Sequence, residues 1–139
     1  MLRKLDHIAI AVHNVENAAK FYQDMLGLEL RNVELIEEQK TRVGFLTIGG
    51  TSIELVEPSC EDSPIGKFLT AKGPGIHHLC FEVDDIVQEI ETLKHQGAQL
   101  IDEVPRPGAH ETLIAFLHPR GTGGVLVELC QKDDSGNLV

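Results

Sequence analysis

The chain makes the same statement twice. Residues 6–12 read DHIAIAV and residues 77–83 read HHLCFEV, so His7 and His78 stand 71 positions apart in matching alternating segments. Each segment is followed by an Asn or Asp and then a run with helical spacing. The ends of the two halves match as well: GGTSIEL at 49–55 and GGVLVEL at 123–129 repeat at an offset of 74. A loop absorbs the small difference between the offsets. Repetition of this kind means two copies of one supersecondary unit that share a core.

Each copy reads as strand, helix and three strands. In the first, HIAIAV alternates as a strand. Asn14 is an N-cap, and Val15, Ala18, Ala19, Tyr22, Met25 and Leu26 make one apolar helical face that Gly27 ends. Strands are expected near 29–35, 42–48 and 51–56, with Gly49-Gly50 turning a hairpin. The second copy has a strand near 77–83, Asp85 as cap, and a stripe of Ile86, Ile90 and Leu93 ended by Gly97. Its further strands fall near 99–102, 112–117 and 124–130. Between the copies, DSPIGKFLTAKG predicts a short helix with Ser63 as N-cap, Pro64 at its first position and Gly73 at its close. The expected class is α+β: two tandem βαβββ modules forming one curved mixed sheet around a metal cleft. The whole chain, 1–139, is expected to be a single domain. Module one is about 5–57, the linker helix about 62–73 and module two about 76–131, followed by a polar C-terminal tail.

Length and composition agree with this. With 139 residues and 42% hydrophobic content, the chain can bury one core. No apolar run approaches the roughly 20 residues of a membrane span, and no leader-like segment precedes the first strand. A formal net charge of −10 argues against nucleic acid as partner. An odd count of three cysteines without a CxxC pair reads as free thiols in a reducing, cytoplasmic setting.

The repeated polar residues carry the chemistry. His7 and His78 open the first strands, while Glu54 and Glu128 lie in the last. Side chains alternate across a strand, so Ile8, Ile10, Ile53 and Leu55 face the helix and His7 and Glu54 face away. Val127 and Leu129 flank Glu128 in the same way. All four polar residues are expected on faces that no helix covers. Two imidazoles and two carboxylates converging from curved sheets form a divalent metal site with positions left for water or substrate. A single His or Glu on a strand is usually structural or solvated; the matched pairs are what favour a site.

Other signals are weaker. Cys80 and Cys130 share the His78 and Glu128 faces and are read as lining the cleft. Glu82 lies further along that face, as a supporting group or in solvent. His77 points away from His78, and His13, His95 and His110 read as surface residues. The Pro- and Gly-rich segment from Glu103 to Gly124 contains Arg106, His118 and Arg120. It is a plain surface loop or an anion-holding rim.

With LDHIAIAV, FYQDMLGL, IELVEP, DSPIGKFL, GIHHLCFEVDDI and FLHPRGTGGVLVEL in place, the chain resembles the vicinal-oxygen-chelate (glyoxalase/bleomycin-resistance) superfamily from Leu5 to about Gln131. Within it the chain looks most like the methylmalonyl-CoA epimerases. The resemblance implies an isomerase that interconverts (R)- and (S)-methylmalonyl-CoA by α-proton transfer through a metal-stabilised enolate. It implies His7, Glu54, His78 and Glu128 as ligands of one divalent ion per chain (Co, Zn, Ni or Mn). Glu128 and Glu54 would be the catalytic bases, and Arg106, Arg120 and His118 would contact an acyl-CoA substrate, in a cytoplasmic homodimer. One position departs from the family: Val43 falls where epimerases have a further catalytic Glu. The same donor set resembles that of glyoxalase I (lactoylglutathione lyase), which is the alternative activity. A non-catalytic antibiotic-binding protein of the same fold is the second.

Overall fold

A computed structural model describes residues 1–132; the polar tail expected after the last strand lies outside the described residues. Among the described residues the class is α+β, with three α-helices and eight strands in parallel and antiparallel pairing. The chain divides into two compact units, His7–His77 and Met1–Asp6 together with His78 onward.

The first unit takes the second half of β1 (Leu2–Ala11), α1 (Val15–Lys20), β2 (Glu29–Ile36), β3 (Thr41–Ile48), β4 (Thr51–Pro58) and α2 (Pro64–Lys72). β2, β3 and β4 are antiparallel neighbours, and β1 runs parallel to β4 with Ala9 opposite Glu54. The two-residue turn between Ile48 and Thr51 has Gly49 at φ +58°, as the Gly-Gly pair requires. Asn14 caps α1 by accepting from the Asn17 amide at 2.8 Å. Val15 and Ala19 pack on Leu46, Leu55 and Val12. Gly44 allows this approach, since a Cβ there would lie 2.4 Å from Val15 Cγ1.

Met25 and Leu26, expected on the buried helical face, are instead both exposed. The helix changes to a π-turn at Phe21–Met25, and Leu28 N donates back to Tyr22 O at 2.9 Å. Bonding i→i+5 advances each residue by a smaller angle, so the apolar stripe drifts off the sheet.

The second unit repeats the plan with β5 (Gly75–Val83) from His78 on, α3 (Ile86–His95), β6 (Arg106–Pro107), β7 (Leu113–Leu117) and β8 (Val127–Gln131). β5 runs parallel to β8, and β7 is antiparallel to both β8 and β6. Asp85 caps α3, whose Ile86 and Ile90 are buried with Val83, Ala115 and Leu129. The strand expected at 99–102 is absent, leaving one bridge from Leu100 to Leu117. The amides of Ile101 and Asp102 both donate to Phe116 O, which breaks the ladder. The edge resumes only at Arg106, between two prolines that cannot donate.

One contact recurs in both units. Glu57 Oε1 accepts from the Val15 amide and Gln131 Oε1 from the Ile86 amide, each at 2.8 Å. The last strand thus satisfies an orphan N–H at the start of its unit's first helix. Arg42 braces the first of these, donating to Glu57 at 3.1 Å and also to Glu16.

Two expectations follow. Glu57→Ala and Gln131→Ala should each cost about 1–2 kcal/mol, read as a fall in Tm of roughly 3–6 °C by calorimetry. Arg42 hydrogen bonds hold the Glu16 carboxyl at about 2, below its ordinary 4.5. A depressed carboxyl contributes stability above its unfolded value and loses it as pH falls towards the folded one. The Tm gap between wild type and Arg42→Ala should therefore be constant above pH 5 and close as pH approaches about 2.

Candidate metal and proton-transfer site

Each unit holds one imidazole–carboxylate pair with one member buried, His7 in the first and Glu128 in the second. In the first, His7 Nδ1 lies 3.2 Å from Glu54 Oε2. In the second, His78 Nε2 lies 2.9 Å from Glu128 Oε1. The parallel strands explain both, because β1 against β4 and β5 against β8 set the two residues on one face of adjacent strands. Matched sequence positions therefore become matched contacts, although different ring nitrogens make them.

The expectation that no helix covers these faces is corrected in the first unit. Ile65 and Leu69 of α2 pack on Ala9, Ala11, Val43 and Val56, the face that also carries His7 and Glu54. The linker apolar residues need cover, and that side of the sheet supplies it. Val43 is 3% exposed within this cluster, so its side chain is packing and not a proton carrier.

In the second unit Cys80, Cys130, Ile114 and Phe116 form the apolar ground on the His78–Glu128 face. The Cys80 thiol is held protonated by its hydrogen bond with Cys130, by burial and by the charge of Glu128. A protonated thiol is a poor metal donor, in keeping with a lining role. Glu82 is neither solvated nor unpaired: it is 9% exposed, with Arg3 Nη1 and Lys132 Nζ each 3.7 Å away. His77 turns to Phe68, ring centroids 5.0 Å apart.

The rim residues separate. His118 Nδ1 accepts from the Arg120 amide at 3.0 Å, capping a 3₁₀ turn. Arg106 lies over the Phe116 ring, 5.5 Å from its centroid. Phe116, Asp102, Glu57 and Gln131 were not singled out from sequence. Glu57 and Gln131 had a signal: each is polar, in a matched position, on the helix-facing side of an otherwise apolar strand.

Imidazole nitrogen and carboxylate oxygen are the donors that borderline divalent ions take, so the residues present fit such an ion. Residues 6–116 match the family model of the glyoxalase/bleomycin resistance protein/dioxygenase superfamily. The chain belongs to that superfamily. It is 45% identical over 137 residues to the uncharacterized protein YqjC of Bacillus subtilis, covering 98% of each chain. It is 42% identical over 134 residues to the ethylmalonyl-CoA/methylmalonyl-CoA epimerase of Cereibacter sphaeroides, covering 94% of this chain and 99% of that one. A solved methylmalonyl-CoA epimerase in complex with methylmalonyl-CoA and ammonium superposes with a TM-score of 0.87 at 35% identity, over 94% of this chain and 95% of that one. With such relatives along its length, this superfamily member is an enzyme of the epimerase kind.

Proposed function

We propose that the protein epimerises the α-carbon of methylmalonyl-CoA, using one domain built from both units. The observation that carries this is the duplicated His–Glu pair, one in each unit. We assign His7, Glu54, His78 and Glu128 as donors to one divalent ion (Co, Zn, Ni or Mn), on the donor chemistry of the two matched pairs. When bound, the ion supplies Lewis-acid stabilisation of negative charge developing on the thioester oxygen.

The chain's own residues move the proton. One carboxylate, Glu128 or Glu54, takes the α-proton, and the other returns one from the opposite side. A carboxylate acting as base must first release its histidine, because a hydrogen bond to the charged form lowers its basicity. General-base help is worth roughly 10²–10⁴-fold. The buried apolar surroundings of both pairs keep bulk water from competing for the proton. Arg106, Arg120 and His118 contact the acyl-CoA, whose negative charge an acidic chain must meet locally. Val43 leaves Glu54 as the second base, and it also sustains the glyoxalase I reading, in which the same donors serve a glutathione hemithioacetal.

The protein is assigned to the cytoplasm as a homodimer with a complete site in each subunit. Among the described residues no helix is long and apolar enough to cross a membrane.

Three outcomes are expected. Added Co, Zn, Ni or Mn raises Tm in the wild type and not in a His7→Ala, His78→Ala double variant; equal shifts would remove the metal assignment. In D₂O, product of inverted configuration carries deuterium while recovered substrate carries little. Glu54→Gln and Glu128→Gln each lower epimerisation by 10²-fold or more; normal turnover in Glu54→Gln would leave it a ligand only. Turnover of glutathione with methylglyoxal, but not of methylmalonyl-CoA, would decide for glyoxalase I.

A further inference from the structure

The second unit contains a polar assembly that the proton chemistry does not use. Asp102 is 16% exposed at its side chain, and its two oxygens do different work. Oδ2 accepts from the Phe116 amide at 2.9 Å. Oδ1 lies 3.1 Å from Arg106 Nε. Arg106 then lies over the Phe116 ring at 5.5 Å, and Phe116 meets His78 edge to face with centroids 5.7 Å apart. Phe116 is also the strand partner of Glu128. Contacts therefore run without a break from Asp102 through Arg106 and Phe116 to the His78–Glu128 pair.

We propose that Asp102 is a positioning residue which, with Phe116, presets Arg106 to grip a phosphate of the coenzyme A carrier. Three features support this. The guanidinium is anchored through Nε alone, and a guanidinium held there keeps its terminal amino groups as a fork that matches a phosphate. Pro105 and Pro107 fix φ on either side of Arg106, so less freedom is lost when an anion is held. Arg106 touches the Phe116 ring and not the imidazole, which places its charge one ring away from the reacting pair. That position suits the carrier and not the acyl carboxylate. Arg120 has no such bracket: its described polar contact is through its backbone amide.

The inference rests on the epimerase reading, so the test includes a readout free of turnover. Arg106→Ala should raise KM for methylmalonyl-CoA about tenfold, as expected for one charge-assisted hydrogen bond, with kcat within about twofold. KM for methylmalonyl-pantetheine, which carries the same acyl group without phosphates, should not move. Asp102→Asn keeps an oxygen for the Phe116 amide but loses the charge at Nε. It should raise KM for the CoA thioester severalfold, again with no change for the pantetheine thioester. A purely structural role would move both substrates together. Free coenzyme A binding, by calorimetry on the full chain, should weaken about tenfold in Arg106→Ala.

Equal KM rises for both thioesters, or unchanged coenzyme A binding in Arg106→Ala, would overturn the proposal while leaving epimerisation intact. Tight coenzyme A binding by a wild type that epimerises nothing would instead overturn the epimerase reading. If Asp102→Asn matches wild type while Arg106→Ala behaves as expected, Asp102 loses its role and the bracket with it.

Discussion

Parallel pairing of a first strand with a last strand is the constraint on which each unit depends. β1 against β4 and β5 against β8 put a histidine beside a glutamate. Parallel neighbours cannot be joined by a tight turn, so a crossover is obligatory, and in each unit a helix opens it. The helix that makes the crossover must have its first amide satisfied. Glu57 and Gln131 do this from the far end of the last strand. One side of β4 or β8 thereby fastens the scaffold, while the other carries Glu54 or Glu128 beside its histidine. A one-residue slip would exchange the two sides and lose both at once.

Local signals in the sequence translated well. Asn14, Ser63 and Asp85 cap the helices they precede, because N-capping involves only three or four neighbouring residues. Strand alternation placed His7, Glu54, His78 and Glu128 on the faces they occupy, since a period of two leaves little freedom. Duplication made the pairing legible, as no isolated histidine would have been informative.

What was missed is non-local. Met25 and Leu26 fit the helical stripe until the turn widens, and nothing in their identities announces a π-turn. Residues 99–102 have strand-like composition, but two amides competing for Phe116 O leave no regular ladder. The cover that α2 gives to the Ala9–Val43–Val56 face is a choice of packing partner. The Asp102–Arg106–Phe116 arrangement depends on a hairpin whose register only the fold supplies.

The division of β1 has a consequence for how the molecule is made. Residues 1–6 belong to the same compact unit as His78 onward, and His7 begins the other. Arg3 pairs with Glu82 and Asp6 with Lys132, at 3.7 and 2.7 Å. On the ribosome these residues emerge before the segment His7–His77, yet their partners emerge after it. The segment His7–His77 can gather its own contacts as it is made, whereas residues 2–6 of β1 wait for His78 onward before they are fully engaged. Folding of this protein is therefore not vectorial from its first residue. Chain made before that segment closes on chain made after it.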